Sequence, residues 1–299
     1  MIVISFFRTP TQLDIVVTTG QRVVLSNGTV FRGRLITSSD QLNNSAINST
    51  LCFKASTGGM TFPICVYEAK QDIWVSATFI RGGYWERSIV DRFIRLLRRN
   101  PDVEFVDLWA NIETFTLPAA RITHVVAVEP YLKSMVRLFK SVHLGGVQDN
   151  VSLVFNAISN KRTTSKLGFY SGNVGGTYLK VADRTDCGDG LCTQTIVLDD
   201  LLPLMRQRRA VMKVDVEAHQ PRVFSMSSAS KFFELIDVPL IFMEWNLCER
   251  RIISSEVRDL ISFFTLRQYQ VFSDNGNPLG PNCSKWSSNV VFTKQSLEF

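Results

Sequence analysis

Residues Val103–Pro130, which read VEFVDLWANIETFTLPAARITHVVAVEP, decide how the rest of the chain is interpreted. One apolar run ends at Asp107, an irregular turn and a short helical pattern follow, and a second apolar run ends at Glu129. The predicted helix covers Asn111–Ala120 and is kinked or delayed by Pro118. A strand, turn, helix and strand, with an acid at each strand end, are typical of the first half of a nucleotide-binding βαβ unit.

The rest of the chain alternates strand-like apolar runs with amphipathic helical patterns. The predicted helices and core strands are Trp85–Arg99, Tyr131–Leu144, Val151–Ile158, Val211–Val216, Arg222–Ile236, Leu240–Trp245 and Ser254–Gln268. Two late strands, Tyr269–Ser273 and Asn289–Thr293, suit an antiparallel edge. This alternation predicts an α/β fold with a mainly parallel sheet and helices on both faces.

The first 62 residues differ in character from the rest of the chain. Residues 38–50 are rich in Ser and Asn, which is typical of a surface loop or linker. We therefore predict a variable N-terminal extension and linker over 1–62 and one main domain over 63–299. The domain is expected to begin with a hairpin of Ile64–Tyr67 and Ile73–Ser76, and residues 161–193 form a loose, glycine-containing segment.

The composition is that of an ordinary globular protein, with 45% hydrophobic and 20% charged residues in 299. The net charge of +6 is mildly basic, and the arginine clusters lie at ends of predicted helices, where they complement the helix dipole. No aromatic-basic stripe accompanies them, so a nucleic-acid partner is not expected. The apolar run Met1–Phe7 stops at Arg8, and no transmembrane segment is predicted. The sequence does not indicate the oligomeric state.

Six cysteines fall into three local pairs, Cys52 with Cys65, Cys187 with Cys192, and Cys248 with Cys283. Their spacing is not that of a zinc site, so we predict no metal ligands and expect the second and third pairs to form disulfides. Five glycosylation sequons accompany them, at Asn27, Asn43, Asn48, Asn150 and Asn282. These features favour the secretory-pathway lumen or the extracellular space over the cytoplasm, which is the alternative.

The turn Asp107-Leu108-Trp109-Ala110-Asn111-Ile112-Glu113 resembles the Asp-x-Gly-Ala-Asn-x-Gly loop of the FkbM family of S-adenosylmethionine-dependent methyltransferases. Further segments resemble the family in order and spacing, and together they span most of the chain between Cys65 and Val291. They are Gly83–Glu86, Val126–Pro130, Asn156–Ser159, Asn173–Thr177, Leu198–Leu201, Met212–Gln220 and Ile241–Trp245.

The resemblance implies a Rossmann-like class I methyltransferase sheet with S-adenosylmethionine as its cofactor. Glu129 is then expected to hold the ribose of the cofactor, and Asp107 and Asn111 to border its methionine part. Asn156 and Ala157, which lie at the end of the third predicted strand, complete the expected cofactor site together with the turn itself.

The resemblance also implies the reaction, which is methylation of a hydroxyl on a sugar, a glycan or another small polar acceptor. Asp215 and Glu217 lie at the end of the fourth strand and are expected to face the donor and the acceptor, where either can take the hydroxyl proton. His219 is a second candidate base, but the family motif does not require a histidine there, and we interpret it as a bystander.

Two residues of the expected cofactor site depart from the family. Trp109 and Glu113 stand where the loop has glycines, which permit positive φ and close approach of the backbone to a ligand. We expect both side chains to face the methionine end, so that the chain binds the cofactor weakly and their joint replacement by glycine restores binding. After the fourth strand, Ala218 and Gln220 replace a glycine and an acid. Changes confined to the site are typical of a catalytically inactive binding module, the alternative to an enzyme.

Overall fold

The computed structural model describes residues 50–180, 187, 191–247 and 254–294, together with short strands at 23–24, 30–31 and 35–36. Strand β1 (Val23–Val24) pairs antiparallel with β2 (Val30–Phe31), and β3 (Leu35–Ile36) joins one edge of the main sheet. Most of the predicted linker and the cysteine at 248, predicted to pair with Cys283, lie outside the described residues.

Among the described residues, the main sheet has eight strands. In spatial order they are β15 (Gln270–Ser273), β16 (Asn289–Thr293), β14 (Asp237–Glu244), β13 (Arg209–Val214), β6 (Glu104–Leu108), β7 (Val125–Val128), β8 (Val151–Val154) and β3. The strands from β14 to β8 run parallel, and β16 is antiparallel to both of its neighbours. This order, with an antiparallel strand inserted beside the last parallel one, confirms the predicted Rossmann-like class I methyltransferase fold.

Helices cover both faces of this sheet. They are α1 (Val75–Ile80), α2 (Arg87–Arg99), α3 (Thr116–Ala120), α4 (Leu132–Leu144), α5 (Gln220–Val223), α6 (Met226–Leu235) and α7 (Ser254–Thr265), with 3₁₀ turns at Gln148–Asn150, Leu198–Leu204 and Cys283–Lys285. The predicted helix over 111–120 is shorter in the structure, because positive φ at Asn111 and Glu113 cannot extend a right-handed helix. None of the described helices is both long enough and apolar enough to cross a bilayer.

The central strands are buried on both sides, which explains their nearly continuous apolar sequence. In β6, Phe105 packs into the core on one face of the sheet, while Val106 packs into the core on the other. In β7, Ala127 packs into the same core as Phe105, and Val126 packs into the same core as Val106. This alternation holds the strands rigidly, so that the residues at their carboxyl ends have fixed positions.

A hairpin of β4 (Leu51–Thr57) and β5 (Met60–Val66) packs against α4. Its turn is Gly58-Gly59, with φ of +55° and +74°, and the disulfide Cys52–Cys65 joins its strands. The predicted pairing of Ile64–Tyr67 with Ile73–Ser76 is therefore wrong. The second segment instead begins α1, because the Asp72 carboxylate accepts the amides that start this helix. The predicted domain boundary at 63 falls within β5 and stays a prediction.

A second sheet lies beside the carboxyl edge of the first. Its order is β11 (Asn173–Leu179), β10 (Thr164–Tyr170), β12 (Cys192–Ile196) and β9 (Ala157–Ile158). The strand predicted over 151–158 is therefore divided between the two sheets, and the segment 161–193 contains a hairpin. The disulfide Cys187–Cys192 is present, as predicted.

Candidate active site at the carboxyl edge of the sheet

Three neighbouring strands end at the same edge with an acidic residue. Asp107 lies in β6, Glu129 follows β7, and Asp215 follows β13. Asp107 is opposite Ala127 of β7 and Lys213 of β13 in the parallel ladders, so the three strand ends lie side by side. Besides burial, the negative charge of Asp215 raises the pKa of Asp107, and that of Asp107 raises the pKa of Glu129.

The loop after β6 has a left-handed backbone at three positions. The φ angle is +72° at Trp109, +52° at Asn111 and +79° at Glu113. Glycine adopts this conformation freely, whereas other residues are strained by about 1–3 kcal/mol each. The Trp109 amide donates to the Val128 carbonyl at 2.8 Å, which fastens the loop to β7. The loop thus has the backbone conformation that glycine adopts most easily, although Trp109 and Glu113 stand where the family has glycines.

Glu129 is buried at the end of β7 and holds this loop in place. Its Oε2 accepts a hydrogen bond from the Asn111 amide at 2.8 Å, and its Oε1 accepts one from the Tyr131 amide at 2.8 Å. Burial raises the pKa of Glu129 to about 8, although the two backbone bonds oppose this shift. The two backbone bonds use about half of the acceptor positions of a carboxylate, so Glu129 in its ionised form can accept two more donors.

Two buried oxygens beside the loop, Asp107 Oδ1 and Asn111 Oδ1, have no hydrogen-bond partner among the described residues. The other carboxylate oxygen of Asp107 accepts from the Thr116 hydroxyl at 2.7 Å. Burial raises the pKa of Asp107, and Lys213 acts against that shift. Leaving a buried acceptor unpaired costs about 1–3 kcal/mol, so these two atoms suit a ligand with N–H or O–H donors.

The β10–β11 hairpin covers the loop. The Trp109 indole is 2% exposed, and its Nε1 donates to the Thr177 carbonyl of β11 at 2.7 Å. A Cβ atom on Gly175 would lie 2.6 Å from Nδ2 of Asn111, so that glycine lets the hairpin approach closely. The site is therefore closed by the chain itself.

Glu113 points away from the strand ends. Its carboxyl is fully buried between β5 and α4, where Oε1 accepts from the Cys65 amide at 3.2 Å and the Ser141 hydroxyl at 2.5 Å. Burial raises the pKa of Glu113 well above its ordinary value, although the hydrogen bonds from Ser141 and Cys65 oppose this shift. This placement corrects the expectation that Glu113 faces the methionine end of a cofactor.

Asn156 and Ala157 lie where the chain passes from the main sheet to the second sheet. The Asn156 side chain donates to the Gln194 carbonyl at 3.1 Å, and Ala157 pairs with Thr195 in the β9–β12 ladder. Both residues are buried. Both residues are therefore bonded to strands of the second sheet, next to the acids at the strand ends.

Asp215, Glu217 and Glu244 form an acidic cluster beyond the ends of β13 and β14. One carboxylate oxygen from each residue lies within 4.8 Å of the other two. Lys213 donates from Nζ to Asp215 Oδ2 at 2.8 Å. Burial and the neighbouring Asp215 raise the pKa of Glu244 to about 11, so this carboxyl keeps its proton at neutral pH.

Sequence reasoning did not assign Glu86, Lys213, Glu244 or Asn246 to the site. Burial lowers the pKa of Lys213, but the surrounding acids outweigh burial and raise it. Burial raises the pKa of Glu86 to about 7. A signal for Glu244 was present, because it ends a core strand as Asp107 and Asp215 do.

His219, the second candidate base, contacts a serine. Its Nε2 lies 2.9 Å from the Ser159 hydroxyl, and the side chain is buried. Burial and the nearby Arg222 lower the pKa of His219 to about 3, which makes the imidazole neutral and a weak base.

No protein-family model matches the chain, and no curated protein sequence matches it. Among solved structures, it is similar to a precorrin-6y C5,15-methyltransferase from Geobacter metallireducens GS-15, with 9% identity, a TM-score of 0.38, and coverage of 70% of this chain and 89% of that one. It is similar to an rRNA methylase from Streptococcus thermophilus with 11% identity and a TM-score of 0.38, over 69% of this chain and 95% of that one. It is similar to an O-methyltransferase from Bacillus cereus in complex with SAH with 12% identity and a TM-score of 0.36, over 67% of this chain and 78% of that one. The fold assignment rests on the strand order itself.

Proposed function

We propose that the chain is an S-adenosylmethionine-dependent methyltransferase that methylates a hydroxyl oxygen of a sugar or another small polar acceptor. The observation that carries the proposal is the left-handed loop at residues 109–113, which is bonded to Glu129 at the edge where neighbouring strands end in acids. The segments that resemble the FkbM family support the acceptor class.

The residues of this edge fit the cofactor chemically. S-adenosylmethionine, when bound, supplies a methyl group carried on a positively charged sulfur. Glu129 would accept the ribose hydroxyls, because its two backbone bonds leave acceptor capacity. Asp107 Oδ1 and Asn111 Oδ1 would accept from the ammonium group of the methionine part, since they lack donors among the described residues.

Asp215 and Glu217 are the residues we assign to the acceptor hydroxyl. Either carboxylate would accept the proton of that hydroxyl, with S-adenosylmethionine as the source of the methyl group. Glu244 is unsuited to this role, because its pKa of about 11 keeps it protonated. Lys213 stabilises the charged form of Asp215 through the 2.8 Å bond, while the Asp215 side chain stays 33% exposed and open to an acceptor.

We infer that the β10–β11 hairpin must move before the cofactor binds, since the loop and Glu129 are covered. Among the described residues, the bonds that fasten the hairpin at this side include Trp109 to Thr177, the Ile73 amide to the Gly172 carbonyl at 3.0 Å, and the Val174 amide to the Gln71 carbonyl at 3.3 Å. Loop motions of this kind precede substrate binding in many enzymes and occur in microseconds to milliseconds.

Calorimetric titration of the oxidised full-length chain with S-adenosylmethionine and S-adenosylhomocysteine tests the proposal. We expect saturable binding with a Kd between about 1 μM and 1 mM, which corresponds to roughly 8 to 4 kcal/mol. Glu129→Ala is expected to weaken binding at least about tenfold, by roughly 1.4 kcal/mol. Asp237→Asn, which changes a distant exposed acid, serves as the control and should bind as the unaltered chain does. Absence of saturable binding by the folded chain would contradict the proposal.

A second candidate is a binding module without catalysis. The specific observation in its favour is the closure of the site, in which Asp107, Trp109 and Glu129 are each 1–2% exposed. This candidate predicts no heat of binding with either cofactor form, and no methyl transfer to sugars, for a chain that retains both disulfides and a cooperative unfolding transition.

We also propose that the protein works in the secretory lumen or outside the cell, on a small molecule or glycan rather than nucleic acid. Two disulfides support this location, because such bonds persist in oxidising compartments. The sequon residues Asn150 and Asn282 are exposed. The basic residue Arg209 is paired with Asp102 and Asp237 at 3.1 and 3.3 Å, rather than free for phosphates. Loss of mass on glycosidase treatment of protein from secreting cells tests the location, and a glycan-free protein would contradict it.

A further inference from the structure

Glu113 fastens the loop of residues 109–113 to parts of the chain that are remote in sequence. Its Oε1 accepts from the Ser141 hydroxyl of α4 at 2.5 Å and from the Cys65 amide of β5 at 3.2 Å. The same Cys65 amide lies 2.8 Å from the Ser141 hydroxyl oxygen, so the three groups form one buried network. The glutamate that stands in place of a glycine is therefore an anchor of the loop.

This anchor matters most once the β10–β11 hairpin has moved. In the closed structure the Trp109 indole also holds the loop, through its bond to the Thr177 carbonyl of that hairpin. Movement of the hairpin breaks this bond, and the loop then depends on its backbone bonds to β7, on Glu129 and on Glu113. The positive φ angles at positions 109, 111 and 113 are strained for residues other than glycine. A loop without its anchor would relax, and the binding-competent conformation would have to be rebuilt when a ligand binds.

The disulfide Cys52–Cys65 holds the other side of this anchor. It joins residues that are directly opposite in the β4–β5 ladder, near the open end of the hairpin and away from its turn at Gly58-Gly59. A two-stranded hairpin is marginally stable by itself, and its open end separates first. The disulfide prevents that separation at the place where the Cys65 amide donates to Glu113. One residue, Cys65, thus connects the covalent bond to the loop.

A reductant can reach this disulfide from one side. Cys52 is partly exposed, whereas Cys65 is fully buried. A thiolate of a small dithiol would attack the Cys52 sulfur, and Cys65 would leave as a thiolate. The second thiol of the reductant then displaces Cys52 and closes the reductant's own disulfide. The protein gains two electrons and two protons as two thiols, and the dithiol loses the same.

We propose that the Cys52–Cys65 disulfide controls the affinity of the loop for S-adenosylmethionine, with Glu113 as the positioning residue that connects them. Reduction frees the open end of the β4–β5 hairpin, weakens the anchor and lowers the affinity at least about fivefold, the lower end of ordinary coupling between two sites. The inference rests on the proposed function for its ligand, whereas the loosening of the loop is a property of the chain alone. The second disulfide, Cys187–Cys192, lies at the start of β12 in the second sheet and serves as the comparison.

Calorimetric titration with S-adenosylmethionine compares the oxidised full-length chain with the chain reduced by a small dithiol. We expect the reduced chain to bind at least about fivefold more weakly. Cys52→Ala with Cys65→Ala should bind as weakly as the reduced chain under both conditions. Cys187→Ala with Cys192→Ala, the matched control, should keep the affinity of the oxidised chain and its response to the dithiol. A response that survives without Cys52 and Cys65 would overturn the proposal.

Variants of Glu113 test its role as the connection. Glu113→Gln keeps a side-chain oxygen for the Cys65 amide and the Ser141 hydroxyl, so it should retain both the affinity and the response to the dithiol. Glu113→Ala removes the anchor, so the oxidised variant should bind as weakly as the reduced chain, and the response should disappear. Such non-additive effects are expected of groups that act through one another. A full response in folded Glu113→Ala would contradict the proposal.

Hydrogen exchange separates a failure of this inference from a failure of the proposed function, because it needs no cofactor. Reduction should speed the exchange of the Asn111 amide, which donates to Glu129, and of the Glu113 amide. The His219 amide, which donates to the Val216 carbonyl, is the control and should exchange at the same rate in both states. Faster exchange in the loop supports the coupling even if neither state binds S-adenosylmethionine. Unchanged exchange overturns it, and this measurement also decides if a variant does not fold.

Discussion

Two strand-end loops of this protein have similar backbones and use their side chains differently. The closed loop, residues 109–113, follows β6, and the open loop, residues 215–218, follows β13. In the closed loop Trp109 and Glu113 have φ of +72° and +79°, and in the open loop Ala218 has φ of +68°. Each of these positions would be adopted with less strain by glycine.

The side chains of the closed loop are absorbed by the protein. Trp109 bonds to Thr177, and Glu113 bonds to Ser141 and Cys65, so both are held in the core. In the open loop Asp215, Glu217 and Ala218 are partly exposed, Val216 is buried, and the two acids belong to the acidic cluster. The comparison shows that a strained backbone persists for two reasons. Burial compensates the strain in the closed loop, whereas we infer that ligand binding explains it in the open one.

The largest expected effect is a loss of stability on Trp109→Gly. Glycine relieves the strain at φ +72°, which is worth about 1 kcal/mol, but removing a buried indole costs about 3–5 kcal/mol. The net loss of unfolding free energy is therefore expected to be about 3 kcal/mol, measured by denaturant unfolding with the disulfides intact. Trp109→Gly thus leaves a cavity where the indole packs. For this reason we no longer expect the double variant Trp109→Gly with Glu113→Gly to recover cofactor binding.

The control for this prediction is Trp74→Ala. Trp74 is 53% exposed before α1, so its loss should change stability by less than about 0.5 kcal/mol. If Trp109→Gly were as mild as the control, the indole would not compensate the backbone strain, and the distinction between the two loops would fail.

Much of the fold was predictable from sequence, and the reason lies in the central strands. The apolar runs 103–108 and 125–128 are buried on both faces, so their pattern identifies them without further information. The hairpin within 161–193 was missed because its strands are stabilised by distant partners, such as the contact of Thr177 with Trp109 across 68 residues. Similarly, Ile73–Ser76 reads as a strand until the Asp72 carboxylate is seen to cap α1.

The candidate site was predictable in position and less so in its contacts. Parallel strands bring their carboxyl ends to one edge, and this rule located Asp107, Glu129 and Asp215. The direction of the Glu113 side chain depends on Cys65 and Ser141, which are 48 and 28 residues away in the chain. No local pattern contains that information, so only the three-dimensional packing shows where the carboxyl lies.

A smaller effect concerns pH and sharpens the description of the closed loop. The pKa of Glu129 is about 8 in the folded chain and near 4.5 when unfolded, so the folded state binds more protons between these values. Stability should therefore be highest below pH 4.5 as far as this group is concerned, and fall as pH rises through 8. Between about pH 6 and 8.5 the expected loss of unfolding free energy is about 2.5 kcal/mol, measured by denaturant unfolding at each pH.

Glu129→Gln should reduce this pH slope, whatever its effect on stability at one pH. It should not abolish the slope, because Glu86, with a pKa of about 7, titrates in the same direction and range. Glu234→Gln, at an exposed position of α6, should leave the slope unchanged. A slope that is equal in the Glu129 variant and the unaltered chain would mean that Glu129 is ionised and solvated, and hence that the loop is open.

The smallest expected effect is a gain of stability on Ala218→Gly, opposite in sign to the glycine change at Trp109. Ala218 has φ of +68°, and its single methyl group is only partly buried against the core, so relief of strain should dominate and raise the unfolding free energy by about 1 kcal/mol. Ala229→Gly is the matched control, because Ala229 lies within α6, where glycine costs about 1 kcal/mol. Destabilisation at both alanines would show that the methyl group of Ala218 packs as the Trp109 indole does. The side chains of residues 215–218 would then be packed as those of residues 109–113 are. Ligand binding would not be needed to explain the strained backbone.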